Sequence, residues 1–127
     1  MNVPEHYSPV MPYFVVPNGK DFKEFITAVF DAKEILSVPN EDGSIMHGEY
    51  SINGGTIMFG QSSGEWKAAP TGVFVVTDKV DELHALAIEN KAVSNQEPNN
   101  YGYGQAAGFI DPWGNQWWLN SPEDYTG

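Results

Sequence analysis

The chain has 127 residues, enough for one domain with a hydrophobic core, and its 41% hydrophobic and 18% charged residues are typical of a globular protein. It carries 17 acidic residues against six lysines, for a net charge of −11, and it has neither arginine nor cysteine. This balance excludes a nucleic-acid-binding surface, disulfide bonds and thiolate chemistry, and it disfavours bidentate capture of a phosphate or carboxylate. No apolar run reaches membrane-spanning length and no signal-peptide pattern is present, so we expect a cytoplasmic protein.

The first half of the chain predicts one strand, one helix and three further strands. Residues 10–16 are mostly apolar and predict the first strand. Apolar residues at three- and four-residue steps predict an amphipathic helix over residues 21–32. Strands are expected at 34–38, 45–52 and 56–60, separated by turns rich in Asn and Gly.

The second half predicts the same order after a linker at residues 61–70. A strand at 72–76 precedes a helix that we expect to begin at an N-cap, Asp78, and to run to about Asn90. A short strand at 92–95 and an irregular loop at 97–104, rich in Pro, Asn, Gly and Tyr, follow. The last strands are predicted at 105–110 and 115–120, and we expect a loose tail beyond Ser121.

An internal repeat relates the two halves. At an offset of 60 residues, 48–60 aligns with 108–120 and 14–16 aligns with 74–76. Each copy reads as β-α-β-β-β, a unit too small to bury its own apolar face, so we expect both copies to form a single domain over residues 1–127. The copies cover about residues 8–60 and about 71–120, with a linker at 61–70 and a tail at 121–127.

Three segments of the chain resemble the vicinal oxygen chelate superfamily, which includes glyoxalase I, the extradiol dioxygenases and the bleomycin resistance proteins. The resemblance is nearest to its uncharacterised PhnB-like group. It rests on an opening with Pro4-Glu5-His6-Tyr7 and Met11-Pro12-Tyr13, a middle at 42–47, and the closing Asp111-Pro112-Trp113-Gly114-Asn115-Gln116-Trp117-Trp118. The resemblance implies an α+β fold in which two βαβββ modules form curled mixed sheets around a cavity, usually as a homodimer.

The resemblance also implies four metal-ligand positions, on the first and last strand of each copy. Three of them fall on Met11, Met58 and Trp118, and the fourth falls on Thr71 by the internal offset or on Gly72 by strand alignment. Divalent metals favour imidazole or carboxylate ligands, which none of these positions supplies. We therefore expect no metal and no other cofactor.

The three histidines are the other route to chemistry. His84 lies mid-helix among Glu82, Leu83 and Ala85, and we expect it to be a solvated surface residue. The orientation of His6 cannot be read from its position before the first strand. Alternation along strand 45–52 places His47 and Glu49 on one face. If that face lines the cavity, the pair could act as a base or hold a ligand. His47 and Glu49 are therefore the candidate catalytic residues. The alternative is a surface pair without chemistry.

The same alternation predicts the cavity lining. Phe14, Ile57, Val75 and Trp117 are expected to face the helices. An aromatic and methionine-rich cavity suits an apolar or aromatic molecule, and the acidic composition extends this to an aromatic cation. Alternatively, these side chains fill the space and leave no pocket. The expected ligand-binding residues are Tyr13, His47, Glu49, Met58, Phe74, Tyr101, Tyr103, Gln116 and Trp118.

Three functions compete on these grounds. The first is a metal-free protein that binds a small molecule in the manner that bleomycin resistance proteins suggest. The second is a metal-dependent glyoxalase- or dioxygenase-like enzyme with atypical ligands, so whether the protein is an enzyme stays open. The third is a structural or regulatory dimer without a small ligand. The missing ligands and the missing arginine favour the binding protein, with no nucleic acid and no membrane as partner.

Overall fold

Each half of the chain folds into a strand, a helix and three strands, as predicted. The computed structural model describes residues 1–123. Residues 1–69 form one compact unit, and the chain from Pro70 onward forms a second. That both units make one domain stays a prediction. Within residues 1–123, neither helix is long and apolar enough to cross a membrane.

The first unit is a four-stranded mixed sheet with one helix. Strand β1 is parallel to β4, and β3 runs antiparallel to both β4 and β2, in the order β1-β4-β3-β2. The first strand is shorter than predicted, because only residues from Tyr13 pair with the sheet. The elements are β1 (Tyr13–Val16), α1 (Gly19–Phe30), β2 (Lys33–Pro39), β3 (Ile45–Ile52) and β4 (Gly55–Gln61).

Helix α1 begins two residues earlier than predicted and ends two residues earlier. Asn18 provides the N-cap, since its side chain accepts a hydrogen bond from the backbone N–H of Asp21 at 3.1 Å. Asp31 ends the helix by adopting the left-handed conformation, with φ of 52°. The buried face of the helix packs on β3 and β4, where the Phe22 ring lies 5.1 Å from that of Phe59.

The second unit repeats this topology in the order β5-β8-β7-β6. Its core includes the parallel rings of Phe109 and Trp117, 6.2 Å apart. Both units together are the predicted α+β fold with two mixed sheets. The elements are β5 (Gly72–Val76), α2 (Val80–Glu89), β6 (Val93–Asn100), β7 (Gly104–Ile110) and β8 (Gln116–Pro122).

Three predictions for the strands and helix of the second unit were wrong. Asp78 is not the N-cap, because α2 begins after Lys79 and has no side-chain cap. Strand β6 extends to Asn100, so it includes the first four residues of the loop predicted at 97–104. The pairing of β6 with β7 is irregular around Pro98, which allows this edge strand to contain a proline. Strand β8 continues through Pro122 into the predicted tail, and residues 124–127 of that tail lie outside the described residues.

The prediction for His84 was also wrong. The side chain is only 6% exposed, and its Nε2 lies 2.8 Å from the hydroxyl oxygen of Ser94. Its sequence neighbours Glu82, Leu83 and Ala85 had indicated a solvated position in the middle of the helix. Packing of α2 against β6 buries it instead, with Ser94 as its hydrogen-bond partner.

The strand register corrects the alignment of the two copies. Tyr13 pairs with Met58, and Phe74 pairs with Trp118. The last strands are therefore offset by 60 residues, but the first strands are offset by 61. Phe14 and Phe74 are consequently not equivalent: Phe14 is buried, while Phe74 is 57% exposed. With the offset of 61 for the first strands, the position equivalent to Met11 is Gly72 and not Thr71.

Candidate functional site

The candidate site in the first unit is built on Glu49, a carboxylate that is only 2% exposed. Glu49 lies in the middle of β3, where alternation turns Tyr50 toward the core under α1 and turns Glu49 and His47 to the opposite face. Glu49 pairs with Met58 on β4, which in turn pairs with Tyr13 on β1. Paired residues share one face, so these strands bring three predicted site residues into one row.

Three side chains donate hydrogen bonds to the Glu49 carboxylate. His47 Nε2 lies 2.8 Å from Oε2, and the Tyr7 hydroxyl donates to the same oxygen at 2.8 Å. His6 Nε2 lies 2.7 Å from Oε1. The segment before β1 is also fastened through its backbone, because the hydroxyl of Thr56 donates to the carbonyl of His6. The N-terminal segment thus completes the cluster, which sequence reasoning missed since it depends on a contact across 43 residues.

These donors keep Glu49 ionised. Burial alone raises the pKa of a carboxyl group, but the hydrogen bonds from His47, His6 and Tyr7 outweigh it and lower the pKa of Glu49 to about 2. The resulting negative charge acts on its neighbours. It raises the pKa of Tyr7 through their hydrogen bond, and it adds to burial in raising the pKa of Tyr13.

Tyr13 extends the cluster to the surface of the unit. Its hydroxyl lies 3.0 Å from His47 Nδ1, and the two rings stack with centroids 5.7 Å apart. Because the Glu49 carboxylate accepts hydrogen bonds only, His47 must carry its proton on Nε2. In neutral His47, Nδ1 is then an acceptor, and the Tyr13 hydroxyl is its donor. The result is a directed chain of hydrogen bonds from Tyr13 through His47 to Glu49.

A pocket of about 710 Å³ adjoins Tyr13 and His47. Its lining comes from β1, β3, β4, the turn between β2 and β3 and the segment after β4, all within the first unit. Glu49 and Met58 do not line it: Glu49 lies behind His47, and Met58 is only 8% exposed. The lining residues are Tyr13, Val15, Asn40, Met46, His47, Gly60, Gln61, Ser62, Ser63, Glu65 and Trp66.

Trp66 and Met46 were missed as pocket residues by sequence reasoning. Trp66 lies in the segment predicted as a linker, and it is 66% exposed. A tryptophan in a polar linker was the available signal. Met46 is 49% exposed and lines the pocket from β3.

The predicted ligand residues of the second unit are two aromatic pairs and Gln116. Phe74 and Trp118 pair across β5 and β8, and Trp118 is 43% exposed. The rings of Tyr101 and Tyr103 stack at 6.5 Å. Gln116 instead exchanges hydrogen bonds with Asn95. The predicted alternation holds here, because Val75 and Trp117 are buried as expected.

The metal positions implied by the resemblance do not fit a divalent ion. Met58 presents a buried thioether, Trp118 an indole, and Gly72 no side chain at all. His6, His47 and Glu49 are close together, but both Nε2 atoms are engaged as donors to the carboxylate. Among residues 1–123, no group of three His, Asp or Glu side chains is arranged to hold a metal ion.

The fold and the closing Asp-Pro-Trp-Gly-Asn segment define a glyoxalase-like protein, and sequence comparison agrees. The chain belongs to the Glyoxalase/Bleomycin resistance protein/Dioxygenase superfamily, whose family model matches residues 6–119. The resemblance noted from the sequence is thereby confirmed. The uncharacterised protein Mb0911c of Mycobacterium bovis is 30% identical over 124 residues, which cover 87% of this chain and 81% of that protein.

Solved structures show the same fold at lower sequence identity. TioX from Micromonospora sp. ML1 superposes with a TM-score of 0.76 at 18% identity, covering 92% of this chain and all of TioX. The fosfomycin resistance protein FosX from Listeria monocytogenes, in complex with Mn(II) and sulfate, has a TM-score of 0.69 at 16% identity. That match covers 91% of this chain and 90% of FosX. At these identities the likeness concerns the fold.

Proposed function

We propose that this protein binds an aromatic cation, without a metal ion, in the pocket beside Tyr13, His47 and Trp66. The observation that carries the proposal is the make-up of the lining, which combines the aromatic rings of Tyr13 and Trp66, the His47 imidazole and one carboxylate, Glu65. Pockets of about 300–1,000 Å³ accommodate drug-sized ligands, and this one lies within that range.

The preference for a cation follows from the charges around the pocket. Glu65 is the one carboxylate in the lining, and the lining contains no lysine. Trp66 exposes two thirds of its surface beside Glu65, so a ligand can stack on the indole and receive a cation–π contribution. The net charge of −11 steers a cationic ligand toward the protein and repels an anionic one.

The metal-free part of the proposal rests on donor chemistry. The superfamily positions carry Met11, Met58, Gly72 and Trp118, and a set without imidazole or carboxylate does not hold Mn, Zn, Fe or Ni well. FosX, which has Mn(II) in its structure, represents the alternative of a metal-dependent enzyme. Elemental analysis after incubation with each of the four metals distinguishes the two, because stoichiometric metal would overturn the metal-free proposal.

Binding is tested by calorimetry with three probes that share a naphthalene ring. We expect affinity to fall in the order 2-naphthylmethyl-trimethylammonium, 2-naphthylmethanol, 2-naphthoate. Trp66→Ala should weaken all three probes, whereas Glu65→Gln should weaken only the cation. Glu82→Gln changes the net charge equally on an exposed residue of α2, and it should leave the binding of all three unchanged. Equal affinity for the cation and the anion would overturn the proposed charge preference.

The homodimer and the cytoplasmic location, both expected from the sequence, remain predictions. A sedimentation mass near twice the 14.0 kDa of the chain, measured at micromolar concentration, is the expected result for the dimer. A mass of 14.0 kDa would contradict it.

A further inference from the structure

The hydrogen-bond chain from Glu49 to Tyr13 determines what the pocket can recognise. Three donors, from His6, Tyr7 and His47, converge on one buried carboxylate, and no arrangement of protons satisfies them unless His47 donates from Nε2. With His47 neutral, Nδ1 can only accept. In that state the proton of the Tyr13 hydroxyl is used inside the protein, and the oxygen of Tyr13 offers only lone pairs to the pocket.

We propose that Tyr13 is the specificity-determining residue of the pocket and that it selects cations that carry an N–H group. Such a ligand is a protonated primary, secondary or tertiary amine, whose N–H donates to the Tyr13 oxygen while the Trp66 ring stacks against its aromatic part. A quaternary ammonium has the charge but no proton to donate. This inference rests on the proposed function, because it concerns the ligand of the same pocket.

The position of the Tyr13 hydroxyl is fixed from three sides. Its ring stacks on His47, its hydroxyl bonds to Nδ1, and Gly60 on the neighbouring strand leaves room for it. A Cβ atom at position 60 would lie 2.8 Å from the Tyr13 oxygen, so only glycine allows this placement. Tyr13 nevertheless remains 46% exposed, and it lines the pocket, so its oxygen can be reached by a ligand.

Two probes with the same ring and the same charge test the inference, one with N–H groups and one with methyl groups in their place. 2-Naphthylmethylammonium can donate a hydrogen bond, and its trimethylammonium analogue cannot. We expect the wild-type protein to bind the first more tightly than the second. Tyr13→Phe keeps the stacked ring and removes only the oxygen. It should weaken binding of the ammonium by roughly tenfold or more, the loss typical of a hydrogen bond to a charged group, while binding of the trimethylammonium probe stays within about twofold.

His47 acts through Tyr13 as a positioning residue, and its variant is tested by a change in selectivity. In His47→Phe the Tyr13 proton is released and can point into the pocket. The freed hydroxyl can still accept from the ammonium, so the preference for the ammonium over the trimethylammonium probe should shrink without disappearing. 2-Acetylnaphthalene, which only accepts a hydrogen bond, should bind more tightly than to wild type. A merely structural role of His47 would weaken all three probes by the same factor, and that result would overturn the assignment.

Failure of this inference is distinguishable from failure of the proposed function. If both cationic probes bind wild type and Tyr13→Phe affects them equally, the pocket binds cations without using the Tyr13 oxygen, and the inference alone is wrong. If neither cation binds wild type, the proposed function is wrong, and the inference falls with it. Near-UV circular dichroism of each variant, unchanged from wild type, establishes that the fold is retained.

Discussion

The indole Nε1 of Trp117 donates a 2.9 Å hydrogen bond to Oδ2 of Asp111, and both residues are buried. The same carboxylate accepts hydrogen bonds from the backbone N–H groups of Trp113 and Asn115 at 3.0 and 2.9 Å, and from the Asn115 side chain. Asn115 in turn accepts from the backbone of Thr71 at 2.9 Å. The Asp-Pro-Trp-Gly-Asn segment, which first indicated the superfamily, is therefore a turn built around one buried acceptor.

Replacing this acceptor should destabilise the second unit. In Asp111→Asn the new amide can accept at one atom only, so at least one buried donor loses its partner. We expect the free energy of unfolding to fall by roughly 1–3 kcal/mol. Urea denaturation measures this free energy. Asp78→Asn is the control, because it removes the same charge from an exposed residue. Equal stability of the two variants would show that the hydrogen bonds to Asp111 contribute nothing net.

The Glu49 cluster should make the protein sensitive to acid. The folded state lowers the pKa of Glu49 from 4.5 to about 2, so the stabilisation is fully present above the unfolded value and is lost as pH falls through the folded value. We therefore expect a loss of stability between about pH 4.5 and pH 2 that amounts to about 3 kcal/mol.

Glu49→Gln isolates this contribution from that of the other carboxylates. The variant should be less stable than wild type at pH 7, and the difference between the two should shrink toward pH 2 in urea denaturation curves. Glu82→Gln on the exposed side of α2 should follow the wild-type curve. A stability difference between Glu49→Gln and wild type that is constant across pH would be incompatible with an ionised Glu49.

Gly48 should be irreplaceable for packing reasons. A Cβ atom at this position would lie 2.6 Å from the Phe59 ring, which is fully buried and held between Phe22 and Tyr50. The ring cannot retreat, so Gly48→Ala should cost roughly 1–3 kcal/mol of overpacking. Gly55→Ala on β4 is the control, because its added methyl meets only one atom at 3.5 Å. Similar thermal unfolding midpoints for both variants would refute the expected clash.

How much could be predicted from the sequence depends on the range of the interactions. Alternation along β1 and β5 correctly placed Phe14 and Val75 on the buried face of their sheets, because it depends only on local geometry. The constant offset of 60 failed for the same strands, since the second unit has one residue fewer between its paired strands.

The site itself was predicted only in part, for the same reason. His47 and Glu49 share a face of one strand, so their proximity was readable from β3 alone. The closure of the cluster by His6 requires the N-terminal segment to fold back across 43 residues, and no local pattern encodes that. Trp66 became a pocket residue because the segment after β4 folds beside Tyr13 and His47, although its polar composition had indicated a linker.

Gly60 lines the pocket and offers a test of the Tyr13 position that leaves the Tyr13 and His47 side chains themselves unchanged. An added Cβ would lie 2.8 Å from the Tyr13 oxygen and 3.1 Å from the Met46 carbonyl, so Gly60→Ala should push the Tyr13 hydroxyl away from His47. The end of the tyrosine ring can move, so we expect a small loss of stability and a partial loss of selectivity for 2-naphthylmethylammonium, smaller than that of Tyr13→Phe, which removes the oxygen altogether. Gly64→Ala, whose methyl meets nothing within 4 Å, should bind as wild type does. Wild-type selectivity in Gly60→Ala, together with a retained fold, would mean that the contact between Tyr13 and His47 does not control ligand choice.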